Sequence, residues 1–317
     1  LVEEAVSNRI LSENPVRRNM DIPLPEDLLR LAGLFKLAGR QFYLVGGSVR
    51  DAILGQNPKD FDLATDADPD EIVRILKQNP NYTILEIGKS FGVIKVITPE
   101  GGEYEIATFR KDIGKGRRPD SVEFATIDQD VMRRDLTINA LFYDIEKKQI
   151  VDYVGGLKDI ENNIIQTVGS PEERFEEDRL RILRALRFAG RMGAGLNSET
   201  AAAIKANNSL QGVSGERIRD EFLKGIKSAK SVPQFFSLVS EFGLWPQIFP
   251  GLNVDHSYSN TKNLVVQLAL LLRNNEPKLL GNKLNAMKYS ADEVSGVQFL
   301  NMFQKLNIES AYKLKKL

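Results

Sequence analysis

The sequence predicts an α+β fold: a small mixed sheet with helices on one side, followed by an all-helical remainder. Three observations carry this. Apolar runs of strand length, Phe42–Val45, Tyr82–Ile87, Val93–Thr98 and Tyr104–Phe109, cluster in the first part of the chain. Segments with helical spacing, Pro25–Leu37 and Pro69–Gln78, are interleaved with them. From Pro171 onward apolar residues recur at helical spacing, punctuated by Pro246, Pro250 and Pro277.

Residues 1–20 are polar, carry Asn14-Pro15 and Arg17-Arg18, and read as a loosely held lead. Pro25–Leu37 has acidic residues in its first turn, where they complement the helix dipole. Phe42–Val45 reads as a buried strand stopped by Gly46-Gly47, after which Ser48 begins a helix with Val49, Ile53 and Leu54 on its apolar face. A strand that breaks at glycines into a helix start offers bare N–H groups to a phosphate. Arg50 adds a charge that cannot be titrated away.

Asp60 and Asp62 alternate with Phe61 and Leu63, so a strand here shows both carboxylates on one face and buries the apolar pair. Carboxylates that close repel unless a cation lies between them, and Mg²⁺ prefers hard oxygen ligands of this kind. The same alternation puts Glu103 and Glu105 on one face of a later strand. Lys111–Asp120, with Gly114, Gly116 and several cations, reads as a mobile basic loop. In Met132–Asp144, Arg133-Arg134-Asp135 sets opposed charges beside a helical turn that brings Asn139 onto the face of Asp135.

Residues 150–170 read as a connector, and Pro171 opens a long helix. Along it Asp178, Arg181, Arg184 and Arg187 form one polar ridge beside an apolar ridge of Leu180, Leu183 and Leu186. A carboxylate and a guanidinium one turn apart place an acceptor beside fixed donors, a pattern that can match the edge of a nucleobase. Val213–Ile226 is an amphipathic helix carrying Glu216, Arg217 and Lys224, and the chain ends in a basic segment, Tyr312–Leu317.

Composition narrows the function. Lys+Arg and Asp+Glu number 43 each in 317 residues, so any basic surface must be local. The absence of Cys excludes disulfides and thiolate metal sites and fits a reducing, cytoplasmic setting. His256 is the only histidine, which excludes a His-rich hydrolase centre. No apolar run reaches membrane-spanning length and the opening is not a signal peptide, so no membrane partner is expected; a start at Leu1 suggests trimming or processing.

Val45–Gly55 (VGGSVRDAILG), Lys59–Thr65 (KDFDLAT), Arg133–Asp144 (RRDLTINALFYD) and Glu177–Phe188 (EDRLRILRALRF), in that order, resemble the class II nucleotidyltransferases of the polymerase β superfamily. That family comprises the tRNA CCA-adding enzymes and bacterial poly(A) polymerases. The resemblance implies an N-terminal lead and helix at 1–40, a nucleotidyltransferase head at 41–148, a neck at 149–212 and a helical, RNA-binding body and tail at 213–317. It implies catalytic Asp60, Asp62 and Glu105, with Asp60 and Asp62 holding two Mg²⁺ ions. It gives nucleotide-binding roles to Gly46, Gly47, Ser48, Arg50, Arg134, Asp135 and Asn139, the Arg134-Asp135 pair reading the sugar. Asp178 and Arg181 are implied as a protein template for the base, with Arg184 and Arg187 lining the same pocket.

The expected activity is template-independent addition of CCA to the 3′ end of tRNA from CTP and ATP. Ile87–Val96 (IGKSFGVIKV) resembles the CCA-adding side of the family more than the polymerase side. The basic loop is slightly shorter than its bacterial counterpart and lacks an aromatic residue. A poly(A) polymerase or an enzyme adding only CC or only A shares almost every motif, and an inactive RNA-binding relative is the alternative of another class.

Overall fold

The computed structural model describes residues 14–114 and 120–304. Residues 1–13, the tip of the basic loop at 115–119 and the basic tail at 305–317 lie outside them. The chain divides into two compact units: Leu1–Asn162 with Gln166–Glu177, and Asn163–Ile165 with Asp178–Leu317.

The first unit runs β1 (Val16–Asn19), α1 (Glu26–Leu37), β2 (Phe42–Val45), α2 (Gly47–Ile53), β3 (Asp62–Thr65), α3 (Pro69–Leu76), β4 (Thr83–Leu85), β5 (Val93–Ile97) and β6 (Glu103–Thr108). It continues through β7 (Arg110–Ile113), β8 (Ser121–Phe124), α4 (Ile127–Met132), β9 (Phe142–Asp144), β10 (Gln149–Asp152), α5 (Gly156–Glu161) and α6 (Pro171–Glu177). Eight strands form one sheet in the order β1-β10-β9-β2-β3-β6-β5-β4. β3 and β6 pair in parallel and the remaining neighbours pair antiparallel, which makes the sheet mixed. β7 and β8 form a separate hairpin that leads into and out of the basic loop.

Strand alternation sends Leu44, Leu63 and Ile106, register partners across β2, β3 and β6, to the face covered by α1 and α3. The opposite face buries Tyr43, Val45, Ala64, Phe109, Phe142 and Val151 with Val131 of α4 and Val168. The second face is thus covered in part, over β10, β9 and β2, and is open where Asp62 and Glu105 stand exposed. Val16–Asn19, expected as a loose lead, are instead an edge strand, because the outer edge of β10 offers them a full ladder and Arg18 bonds Glu161 at 2.5 Å. Gln149–Asp152, expected in a connector, complete the same sheet. The buried Asp152 carboxylate accepts the N–H groups of Val154, Gly155, Gly156 and Leu157 and so fixes the start of α5. Asp27 of α1 accepts from Thr98 and Tyr104 hydroxyls at 2.7 and 2.8 Å, tying that helix to the β5–β6 hairpin.

The second unit contains β11 (Ile164–Ile165), α7 (Leu180–Met192), β12 (Gly195–Leu196), α8 (Ser198–Ala206), α9 (Gly215–Ser228), α10 (Val232–Glu241), α11 (Trp245–Ile248), α12 (Leu264–Leu271), α13 (Pro277–Ala286) and α14 (Ala291–Gln304). Its core holds Phe222, Phe235, Phe236, Trp245 and Phe249, with Phe222 and Phe236 stacked at 5.7 Å. The long helix expected from Pro171 is two, α6 and α7, interrupted at Asp178-Arg179. The interruption has a local cause: Asp178 turns its carboxylate onto the N–H of Leu180 at 3.2 Å, in the manner of a helix start. Among the described residues no helix is long and apolar enough to cross a membrane.

Candidate active site

One rung crosses the sheet of the first unit. Val151, Phe142, Val45, Asp62, Glu105 and Lys95 are successive register partners, so their side chains leave the same face. The rung is apolar and buried on β10, β9 and β2, then becomes carboxylate on β3 and β6. Asp62 and Glu105, predicted from alternation on separate strands, thus stand side by side. Asp60 does not share a strand with Asp62: pairing of β3 begins only at Asp62, and Asp60 lies in the bend before it with Phe61 half-buried. It still acts on its neighbour electrostatically. Crowding of protein around the Asp62 carboxyl, then the Glu105 and Asp60 charges, hold its pKa above the ordinary carboxylate value, with Arg134 opposing.

Immediately after Val45 the chain turns at Gly46, whose φ of 72° favours glycine. Gly46 caps α2, and its carbonyl accepts from Val49 and Arg50 N–H. That leaves the N–H groups of Gly47 and Ser48 ahead of the first internal hydrogen bonds of the helix. Ser48, expected to begin the helix, lies inside it, and its hydroxyl donates back to Val45 O at 3.1 Å. The helix starts earlier because Gly46 supplies the bend by backbone conformation, with no side-chain cap. Arg50 is 3% exposed and lies beneath the turn, its Nη2 3.2 Å from where a Cβ on Gly47 would stand. It donates to Asp51 and to Asn139.

Arg133-Arg134-Asp135 follow the end of α4 directly: Arg133 is its C-cap, and the N–H groups of Arg133 and Arg134 bond back to Asp130 and Val131. Residues Asp135–Thr137 then bond in strand fashion to 166–168, which ends the helix before the 3₁₀ turn at 137–139. Asn139 sits in that 3₁₀ turn, and its Nδ2 reaches Asp135 Oδ1 at 3.4 Å, so the expected pairing survives by another route. The turn is seated against α5: Thr137 donates to Asp159 at 2.5 Å, and a Cβ on Gly156 would collide with Thr137 O. Arg134 lies over the Phe142 ring at 5.0 Å and next to Gly46, held by two hydrogen bonds to Asp130 at 3.2 and 3.0 Å.

In the second unit the Asp178–Arg187 ridge is partly occupied. Arg217 of α9, 39 residues away in sequence, grips Asp178 with Nη1 at 3.2 Å and Nη2 at 2.6 Å. One helical turn further on, Glu221 binds Arg187, which is 8% exposed and stacks on Phe188 at 4.3 Å. Arg187 is therefore buried support and not an open pocket wall. Arg181 and Arg184 remain half-exposed, with Arg184 over the same Phe188 ring at 5.2 Å. Sequence reading missed Asp130 and Glu221, and named Arg217 only as part of an amphipathic helix, without its pairing to Asp178. Their i,i+4 spacing, to Arg134 in one case and to each other in the second, was the available signal.

The donor set suits a hard cation. The side chains of Asp60, Asp62 and Glu105 supply only carboxylate oxygens and make no hydrogen bond or ion pair among the described residues. No three acidic, His or Cys side chains among the described residues enclose a metal position by themselves. That fits Mg²⁺, which takes one or two carboxylates and completes its shell with water and substrate phosphates.

Comparisons with known proteins identify relatives of this chain. Residues 42–166 match the Poly A polymerase head domain, and 195–255 match the probable RNA and SrmB-binding site of polymerase A. The CCA-adding enzyme of Bacillus licheniformis is 43% identical over 222 residues, covering 69% of this chain and 54% of that enzyme. The Bacillus subtilis CCA-adding enzyme is also 43% identical, over 61% of this chain and 48% of its own length. The chain spans about half the length of the curated relatives it matches. The crystal structure of the Bacillus stearothermophilus CCA-adding enzyme in complex with CTP superposes with a TM-score of 0.74 at 30% identity, covering 89% of this chain and 70% of that one. The Thermotoga maritima CCA-adding enzyme complexed with tRNA shares the fold, with a TM-score of 0.72 at 20% identity, over 90% of this chain and 73% of that one.

Proposed function

The chain belongs to the CCA-adding family of polymerase β superfamily nucleotidyltransferases, and from that membership we propose that it adds CCA to the 3′ end of tRNA without a nucleic-acid template. CTP and ATP are the substrates, in keeping with a relative solved in complex with CTP. The observation that carries the reading is the rung that sets Asp62 beside Glu105 and opposite Val45, the last residue before the Gly46-Gly47 turn.

Mg²⁺, when bound, lowers the pKa of the RNA 3′-hydroxyl and neutralises the triphosphate and departing pyrophosphate. Asp60 and Asp62 would hold it, with Glu105 adding negative charge beside them. Gly47 and Ser48 N–H groups face the phosphates, with Arg50 fixing the turn from below and adding positive potential. Arg134 meets the nucleotide, and Asp135, steadied by Asn139, accepts from the ribose hydroxyl. Asp178 accepts and Arg181 donates, a pattern that suits the amino group and ring nitrogen of C and A and mismatches U and G. Arg217 and Glu221 keep that pair and its supporting arginines in register.

The test is incubation of the full chain with tRNA ending before CC, each labelled nucleotide in turn, read on a sequencing gel. Two C additions followed by one A are expected. Asp60→Ala or Asp62→Ala should lower the rate by at least ~10³, because charge stabilisation worth several kcal/mol goes with the ligand. A long A ladder, or near-normal turnover by either variant, overturns the reading.

A further inference from the structure

Asp130 is 1% exposed at the end of α4 and is surrounded by guanidinium groups. It accepts from Arg134 Nε and Nη2 on one oxygen, and from Arg133 Nε at 3.2 Å and the Arg110 N–H at 3.0 Å on the other. Burial alone raises the proton affinity of this carboxyl, but Arg134 and Arg133 outweigh it and keep the group ionised. Arg110 is the remaining cation of the cluster and has its own partner in Asp112.

The neighbouring charge balance is the reverse. Asp62, Glu105 and Asp60 form no ion pair among the described residues, although Arg134 acts on Asp62 and Lys95, itself bonded to Glu103, acts on Glu105. A half-buried guanidinium seeks a carboxylate, and two sets of carboxylates compete for this one. We propose that Asp130 is a positioning residue that parks Arg134 over Phe142 and away from the Asp62–Glu105 pair, keeping those carboxylates open to a divalent cation. Without the Asp130 charge, Arg134 swings onto Asp62 and closes the site with an internal salt bridge. The hydrogen bond from Arg110 adds a second consequence: the entry to the β7–β8 hairpin is anchored on the same carboxylate that holds Arg134.

This inference rests on the metal-binding reading of Asp60, Asp62 and Glu105, and direct binding of Mn²⁺ to the full chain, measured by calorimetry without nucleotide or RNA, tests the two separately. The unmodified chain binds Mn²⁺ in the expected case, and Asp130→Asn binds it roughly tenfold more weakly, the scale of one close opposite charge. Asp130→Asn combined with Arg134→Gln restores the affinity, because the competing cation is gone. Asp130→Glu, which keeps the charge, stays within a few-fold of the unmodified chain. Circular dichroism establishes that each variant is folded. Equal affinity in Asp130→Asn, or no recovery in the double variant, overturns the parking role while leaving the metal site standing. If Asp130→Asn does not fold, a folded Asp130→Glu with strongly weakened Mn²⁺ binding overturns it. Absence of Mn²⁺ binding by the unmodified chain overturns the metal site itself, and the parking role with it.

Discussion

At the scale of single residues, the site is a contest among carboxylates for a few guanidinium groups. Arg217 shows the outcome most plainly, since both its terminal nitrogens are committed to Asp178. Arg217→Ala should release that carboxylate from its fixed orientation. We expect kcat/KM for CTP to fall roughly 10- to 100-fold and the preference over UTP and GTP to narrow, since an unpaired polar group at such a site costs about 1–3 kcal/mol. Measurement of kcat/KM with each of the four nucleotides on tRNA lacking CCA decides it. Uniform loss with the preference intact would show that Arg217 supports the fold alone. Some of this site was legible in the sequence. Alternation set Glu103 with Glu105 and Asp60 with Asp62, and only the resemblance singled out Glu105 beside the aspartates. The parallel pairing that joins Asp62 to Glu105, and the bend that takes Asp60 out of the strand, are not written in any local period. The Arg217–Asp178 pair was not legible either, because no local period links residues 39 positions apart. Nor was the burial of Arg187, whose partner Glu221 comes from another helix.

At the scale of elements, glycines mark where backbones come closest, and the same substitution should have opposite signs at two of them. Gly156 begins α5 with Thr137 O against it, so Gly156→Ala forces α5 away from the turn that carries Asn139. About 1–3 kcal/mol of destabilisation is expected from overpacking against an unyielding carbonyl. Gly33 lies within α1 with open space where an alanine methyl would stand, and Gly33→Ala should stabilise by roughly 0.5–1 kcal/mol through helix propensity. Thermal melts followed by circular dichroism compare the two, and equal signs would contradict the packing argument. Elements themselves were uneven to read. Phe42–Val45 announced itself by four consecutive apolar residues, all buried. Val16–Asn19 could not, since its four residues are exposed and become a strand only by pairing with residues 149–152. The break between α6 and α7 hid inside a continuous helical period, because the residue that causes it, Asp178, also fits the polar face.

At the scale of the whole molecule, stability should depend on pH through Asp27. Burial alone would raise its pKa, but hydrogen bonds from Thr98, Tyr104 and the Leu28 N–H bring it below the ordinary value. A carboxylate with a depressed folded pKa stabilises above its unfolded value near 4, and that contribution is lost as pH falls through the lower folded one. Asp27→Asn should therefore cost roughly 2 kcal/mol near neutrality, and the gap to the unmodified chain should shrink progressively below about pH 4. Denaturant titrations at several pH values, followed by circular dichroism, check this, and a gap independent of pH would refute it.

The same titrations followed by light emission would tell a different story. The chain has one tryptophan, Trp245, set among Phe222, Phe236 and Phe249 with its indole N–H on Ser240 at 2.7 Å. Every photon emitted by indole therefore originates in the second unit. Tyr43, Tyr82, Tyr104, Tyr143 and Tyr153 are the fluorophores of the first. Indole-selective excitation is blind to the surroundings of Asp27 and of the carboxylate rung. Tyrosine emission, dominated by the first unit, is the channel in which they speak, so the natural placement of chromophores provides two colours of readout without a label.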